Sequence, residues 1–333
     1  MDEISPDFLF EAAFAYHLTA AVKAAVDLDL FTAIARGADT QAELAAATGA
    51  AERGARILAD YLTVRGFLEK QDGRWRLTPS SAVFLDRRSP AFAGSIFEFM
   101  VAPEMVELAM ANPDGTVREG GAHGLANIAP ENPVWVKFAH AMAPFAAPMA
   151  DLVAAELAKW PVPPRTVLDI AAGHGLYGVA AAKAVPGASV TAVDWPNVLE
   201  VARETAARAG VAARYRLCPG SAFEVDWGGD YDAVLVPNFL HHFDPPTCVG
   251  LLRKVRGSLS DRGRVFAVEF VPNEDRVSPP RTAAFSMVML LTTPRGDAYT
   301  VAEFEAMAKD AGYAGAKSSP LLPTPQTLVE FLR

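Results

Sequence analysis

Thr166-Val167-Leu168-Asp169-Ile170-Ala171-Ala172-Gly173-His174-Gly175-Leu176-Tyr177-Gly178 decides the fold of this 333-residue chain. A short apolar run of strand character enters a turn of small residues, and a helical pattern follows. Small residues let the backbone pass close to a ligand, and the next helix aims its first amides at that ligand. Downstream, apolar runs over 166–170, 189–193, 213–217, 233–237 and 264–270 alternate with helical patterns over 177–185, 198–209 and 246–259. That alternation predicts an α/β fold, a Rossmann-like parallel sheet with helices on both faces.

Upstream of 161–164, where three prolines stiffen a boundary, the pattern is helical. Residues 8–26 place apolar side chains at helical spacing, and Leu30, Phe31 and Ile34 continue them. Thr40 followed by Glu43 reads as a capping box opening a short helix that ends near Gly49. A second helix over 53–65 stops at Gly66, and Asp72-Gly73 between two short runs predicts a β-hairpin. Helix, helix, hairpin is the order of a winged helix. Residues 90–150 read as helical and rich in Met, Phe and Ala, with a flexible loop over 115–124.

The balance of 39 acidic against 30 basic residues, a net charge of -9, argues against a nucleic-acid partner. The second helix of the winged-helix pattern carries Arg53, Arg56 and Arg65 but also Glu52 and Asp60, a poor surface for phosphates. The long apolar first helix points to a dimer interface instead. Cys218 and Cys248 read as free thiols of a reducing compartment. Met-Asp-Glu-Ile-Ser places no basic segment ahead of an apolar one, unlike a secretory signal. No uninterrupted apolar run reaches the ~20 residues that span a bilayer. The expectation is a cytoplasmic protein with no membrane partner.

Gly173, Gly175 and Gly178 fit the dinucleotide fingerprint, so an NAD-dependent oxidoreductase is one reading. Asp169 favours another. A carboxylate four residues before Gly173 is awkward beside a pyrophosphate and suits an ammonium, such as the methionine part of S-adenosyl-L-methionine. Asp194, ending the next strand, can accept both ribose hydroxyls of either cofactor. Trp195 offers a flat wall for adenine or is a core residue at a strand end. Ser221, Ala222 and Phe223 fall where the adenine edge would be read.

The acceptor side follows the fourth strand, at Asn238-Phe239-Leu240-His241-His242. Histidine near neutrality can take a proton from a phenol as its oxygen attacks a methyl group. Glu269, ending the following strand, can hold that imidazole in one tautomer, or is a surface carboxylate. His242 reads more simply as a helix cap or core residue. No clear third and fourth ligand accompanies the two histidines, so no metal is expected. His17, His123 and His140 are isolated, structural or lining residues.

Taken together these motifs resemble the dimeric small-molecule O-methyltransferases related to plant caffeic acid O-methyltransferase and bacterial hydroxyneurosporene methyltransferase. Leu28-Asp29-Leu30-Phe31, residues 40–45 and Arg65-Gly66-Phe67-Leu68 resemble the family's winged-helix dimerisation domain. Residues 138–142 resemble its helix over the methyl donor, residues 168–175 its glycine-rich loop, Asp194-Trp195-Pro196 its Asp-Leu-Pro, and Leu240-His241 part of its Leu-His-Asp-Trp. The resemblance implies a division into 1–100 for dimerisation, 101–160 for a helical linker and pocket-covering helices, and 161–333 for S-adenosyl-L-methionine binding and catalysis. It implies a homodimer with swapped N-terminal helices reaching the partner's pocket, and a place in secondary metabolism. His241 becomes the base, oriented by Glu269. Asp169, Gly173, Gly175, Asp194, Trp195, Ser221, Ala222, Phe223 and Asn238 hold the donor. Phe138, Met142, Phe145, His242, Phe285 and Met289 line the acceptor pocket. His242 and Phe243 replace the family's Asp and Trp, Ser221 stands where an Asp is common, and Ala298 falls where plant enzymes place a second catalytic glutamate. The family also holds members that methylate nitrogen, and methylation of carbon is a further alternative.

Overall fold

The protein was analysed as a computed structural model, which describes residues 4–122, 124 and 129–333. Two compact units divide it, Met1–Ala102 and Pro103–Arg333.

In the first unit, α1 (Asp7–Ala13), α2 (Ala15–Asp27), α3 (Leu30–Ala35), α4 (Gln41–Thr48) and α5 (Glu52–Val64) precede the hairpin β1 (Leu68–Gln71) and β2 (Arg74–Leu77). Two helices, α6 (Pro79–Phe84) and α7 (Ile96–Met100), complete it. The apolar pattern over 8–26 is two helices rather than one, bent by 45° at Phe14. The capping box forms, with the Glu43 amide donating to Thr40 Oγ1 and the Thr40 amide donating to the Glu43 carboxylate at 3.1 Å. Asp72 (φ 51°) and Gly73 (φ 77°) are both left-handed, which matches the twist of the paired strands. The hairpin brings Leu68 and Trp75 into a core with Leu30, Phe31, Leu44 and Leu62. On α1 and at its end, Phe8, Phe10 and Phe14 are 68%, 57% and 50% exposed in the single chain.

The second unit opens with α8 (Pro103–Met110), α9 (Pro113–Glu119) and the 26-residue α10 (Pro133–Ala158). Helix α9 fills the first half of the segment expected to be a loop, 115–119, and residues 120–122 lie outside any helix. Its Pro113 takes the first helical position and Gly120 (φ 77°) closes its end, so one glycine of the expected loop is a helix cap. His123 lies outside the described residues. Then come β3 (Thr166–Ile170), α11 (Leu176–Ala184), β4 (Ser189–Asp194), α12 (Pro196–Arg208), β5 (Tyr215–Pro219), β6 (Tyr231–Pro237), α13 (Pro245–Gly257) and β7 (Leu259–Glu269). The unit ends with α14 (Pro280–Ala283), α15 (Phe285–Thr292), α16 (Val301–Asp310), β8 (Gly315–Pro320) and β9 (Thr327–Leu332). Residues 212–214 form a 3-10 turn, so β5 starts two residues later than expected.

The strands lie in the order β5-β4-β3-β6-β7-β9-β8, with β9 antiparallel to both its neighbours. The other neighbouring pairs are parallel. From β3 the chain builds the sheet outward to β5, then returns to place β6 on the other side. That reversal opens a crevice at the C-terminal ends of β3 and β6. Leu168, Ile170, Val234 and Val236 face one core with Leu251 and Leu252 of α13 and Phe304 of α16. Val167, Ala233 and Leu235 face the other with α10 and α11. Burial on both faces is why these strands read as continuous apolar runs. Helix α10 is long and on average apolar enough to cross a bilayer, although Lys137, Asp151 and Glu156 interrupt it, so it is not an uninterrupted apolar run. Its Ala150, Val153, Ala154 and Leu157 are buried in the second core, as in the core helix of a globular unit.

Gly49 and Gly54 separate backbone strain from packing, because a Cβ at either would meet no atom within 4 Å. Gly49 is left-handed at φ 68°, whereas Gly54 lies inside α5. Gly49→Ala is expected to destabilise the protein by about 1 kcal/mol and Gly54→Ala to stabilise it by about 0.5–1 kcal/mol. Urea midpoints at one fixed protein concentration give both signs.

Candidate active site

The turn after β3 places Ala171, Gly173 and Gly175 at φ 54°, 56° and 75°. Gly175 is required twice over, since a Cβ there would stand 2.9 Å from the Ala202 Cα on α12. At Gly173 the nearest atom to a Cβ is the Ala171 carbonyl oxygen at 3.8 Å, so this face of the turn has room for a ligand. Asp169 is wholly buried. Its Oδ2 accepts from the Gly178 amide at 2.9 Å, while Oδ1 has no protein hydrogen-bond partner. Burial, helped by the charge of Asp194, pushes this carboxyl up to about 8.

Asp194 accepts from the Gly173 amide at 2.8 Å and from the Trp195 amide at 2.7 Å. Burial raises it to about 6 against those two bonds. The acid expected to meet a ribose therefore also shapes the glycine turn. Trp195 is half-buried and packs with Ala139 of α10 and Val198 and Val201 of α12, as the core reading expects. The Gly220 amide donates to the Asp194 carbonyl at 2.9 Å, which carries the 221–225 turn to the same strand end. Within that turn the Phe223 amide donates to Ser221 Oγ at 3.2 Å, Ala222 is buried, and the exposed Phe223 meets Phe243 edge-on at 4.9 Å.

After β6, Asn238 takes a left-handed φ of 53° and its Oδ1 accepts from the Gln326 side chain. The 3-10 turn Leu240–His242 follows. His241 Nδ1 lies 2.5 Å from Glu269 Oε2, with the two side chains 6% and 1% exposed. Glu269 Oε1 accepts from the amides of Phe239 at 3.1 Å and Leu240 at 2.9 Å. The surface reading of Glu269 is excluded. A carboxylate on Nδ1 fixes the proton there and leaves Nε2 as the acceptor. His242 stands beside it, ring centroids 4.4 Å apart, and burial together with His241 pushes its imidazole well below the usual range.

Phe285 meets His241 edge-on at 4.9 Å and stacks on Phe270 at 4.0 Å. Met289 is buried one turn further along α15. Phe138, Met142 and Phe145 are half-buried on α10, whose Ala139 packs on α12 and whose Ala146 faces the second core. Two of the acceptor-pocket candidates, His242 and Phe285, are in ring contact with His241. Among the described residues no group of His, Cys, Asp or Glu is placed to hold a metal, and both cysteines are free and buried.

Three further residues belong to this crevice. His174 Nδ1 accepts from the Leu176 amide at 3.1 Å, and burial lowers the ring to about 4, so it stays neutral with its proton on Nε2. The buried Tyr177 hydroxyl faces Asn238 outside hydrogen-bond geometry, and Gln326 Oε1 is also buried without a partner. Both histidine and tyrosine sat inside the glycine motif and were legible there. Gln326 carried no such signal. It precedes Thr327, which pairs with Glu269 in the β7–β9 register. Asp169, Asn238, Glu269 and Gln326 thus form a polar row along the C-terminal edge of β3, β6 and β7 and the start of β9.

Sequence comparison gives this geometry its relatives. A sequence model of the O-methyltransferase domain matches residues 133–314, and one of the O-methyltransferase dimerisation domain matches residues 10–87. The 3-hydroxy-5-methyl-1-naphthoate 3-O-methyltransferase of Streptomyces sahachiroi is 29% identical over 321 residues, covering 92% of this chain and 89% of that protein. The solved structure of a candidate O-methyltransferase of Nostoc punctiforme PCC 73102 is 46% identical, with a TM-score of 0.95 over 99% of this chain and 100% of that one. Human N-acetylserotonin methyltransferase, solved in complex with SAM, is 20% identical with a TM-score of 0.84 over 100% of this chain and 99% of that one, a likeness of fold alone. The domain match spans more than half of the sequence and takes in every strand from β3 to β7. This chain therefore belongs to the O-methyltransferase family and carries that family's dimerisation domain ahead of the glycine turn.

Proposed function

We propose that this enzyme moves a methyl group from S-adenosyl-L-methionine to a hydroxyl of a small aromatic acceptor, with His241 as the general base. The single observation that carries the reading is the buried His241–Glu269 pair, 2.5 Å apart at Nδ1. When bound, the donor supplies an electrophilic methyl on a sulfonium. A phenol of pKa ~10 is mostly protonated at neutral pH. His241 Nε2 takes that proton as the oxygen attacks. Glu269, its charge held by two backbone amides, stabilises the imidazolium that forms. Phe285, Met289, Phe138, Met142 and Phe145, with His242, make the wall that orients the acceptor and keeps water out.

The donor side fits. Asp169 offers a buried oxygen without a partner, which suits an ammonium, and Gly173 and Gly175 leave the backbone open beside it. Asp194 suits the ribose, and Trp195, Ser221, Ala222, Phe223 and Asn238 the adenosine and its surroundings. An NAD-dependent oxidoreductase finds less support, because a diphosphate would lie against the Asp169 end of the turn. The naphthoate named for the Streptomyces sahachiroi relative supports a ring-borne hydroxyl over nitrogen or carbon. The division into 1–100, 101–160 and 161–333, a winged-helix dimerisation domain with exchanged helices, and a cytoplasmic role in secondary metabolism complete the reading. The exposed phenylalanines of α1 support the homodimer.

His241→Ala is expected to bind S-adenosylhomocysteine as the wild type does and to lose at least ~100-fold in turnover. Unchanged turnover would remove histidine from the base role. Donor binding should also move a proton. The Asp169 carboxyl, raised to about 8, is mostly protonated at pH 7 in the free enzyme, and an ammonium beside it favours the carboxylate. Calorimetry with S-adenosylhomocysteine in buffers of different ionisation heat should show up to one proton released per site, fading above pH 8 and absent in Asp169→Asn. Light scattering tests the dimer. The double change Phe10→Asp with Phe14→Asp should shift the mass from two chains to one.

A further inference from the structure

The 221–225 turn has no strand or helix of its own and is held at its two ends. Gly220 ties one end to the Asp194 carbonyl at 2.9 Å. The other end is held from α13 by Lys254. Its Nζ donates to the Val225 carbonyl at 2.7 Å and the Ala222 carbonyl at 3.1 Å, and it stands 4.0 Å from the centroid of the Trp227 ring. Among the described residues no carboxylate forms an ion pair with this ammonium; Glu224 and Asp226 act on it from longer range. Burial is the larger influence and lowers its pKa from the ordinary lysine value. Two carbonyls and the face of a buried indole therefore take the place of water and of a counter-ion.

A surface lysine is ordinarily solvated and replaceable. This one directs its donors at the main chain of a single turn, as a cation does at the last carbonyls of a helix. The turn it fastens carries Ser221, Ala222 and Phe223. Phe223 continues into an aromatic contact with Phe243 at 4.9 Å, and Phe243 meets Phe239 at 4.9 Å, so the turn also leans on the segment bearing His241. We propose that Lys254 is a positioning residue for the methyl donor, setting the main chain of 221–225 against the adenine. The inference rests on the donor reading above and adds to it a residue on α13, outside the glycine turn and the strand-end acids.

Lys254→Met keeps the apolar stem over Trp227 and removes the donors, whereas Lys254→Arg keeps donors and ring contact. Calorimetry with S-adenosylhomocysteine and with adenosine alone reads the effect at the adenine end. Lys254→Met should weaken both ligands about tenfold, and Lys254→Arg should recover to within about threefold of wild type. A general loss of packing would not be rescued by arginine and would lower the unfolding temperature of the free enzyme. A folded Lys254→Met protein with wild-type affinities, or a Lys254→Arg protein no better than it, overturns the proposal. If Lys254→Met does not fold, Lys254→Gln replaces it, and an intermediate weakening is expected. Wild-type protein that binds neither ligand would instead overturn the donor reading itself.

Discussion

Two acids are buried at the C-terminal edge of the sheet, Asp169 one residue before the end of β3 and Glu269 ending β7, and burying a charge costs several kcal/mol unless bonds replace its water. The two are treated differently. Glu269 has three partners, two amides and an imidazole, so its charge is compensated within the protein. Asp169 has one, and the shortfall appears as a carboxyl raised to about 8. Glu269 is finished as built, whereas Asp169 keeps a buried oxygen without a protein partner. With β6 between their strands, the two lie about 10 Å apart across the sheet and three residues apart along it, since Asp169 is level with Leu235 and Leu235 with Phe266. A ligand with its ammonium at Asp169 has that span in which to present a reactive group toward His241. The parallel sheet sets the distance, because β3, β6 and β7 all run their C-terminal ends toward one crevice, with β7 reaching two residues beyond β3.

The sequence made legible what depends on short-range chemistry. Strand β3 and the turn after it are visible because the left-handed positions and the close approach to Ala202 demand small residues. The capping box at Thr40 and the Asp72-Gly73 hairpin are visible because their bonds close within four residues. What was missed is decided by distant parts of the chain. Strand β8 carries Lys317, Ser318 and Ser319 because it is a sheet edge, where polar residues prevent further pairing. Without β8 and β9 in view, nothing placed Gln326 beside Glu269. The α9 segment was misread for another reason. Proline and glycine break a helix in its interior but serve it at its ends, and only the neighbouring structure distinguishes the two.

Lys254 lay beyond sequence reading in the same way. On α13 it is one basic residue among Arg253, Lys254 and Arg256. Its two carbonyl partners are about thirty residues upstream, and nothing in the spacing connects them. The aromatic residues were legible as a group because Phe239 and Phe243 flank the histidines, yet their contact with Phe223 emerges from the fold alone.

Ala298 stands where a second carboxylate was expected from the plant enzymes, and its surroundings explain how a base can do without one. Ala298 is fully buried, and the neighbouring Gly296 lies so close to the turn that a Cβ would approach the His241 carbonyl oxygen to 2.2 Å. From the same segment the Tyr299 hydroxyl donates to the Phe243 carbonyl. Cys248 Sγ donates to the Leu240 carbonyl at 3.2 Å. Glu269 holds the amides of Phe239 and Leu240 from the opposite side. The short turn bearing His241 is therefore fixed through its amides on one side and its carbonyls on the other. In the proposed reaction, a second carboxylate on the imidazole would restrain a ring whose backbone and Nδ1 are already held. The restraint here lies in main-chain bonds of the turn that carries the ring.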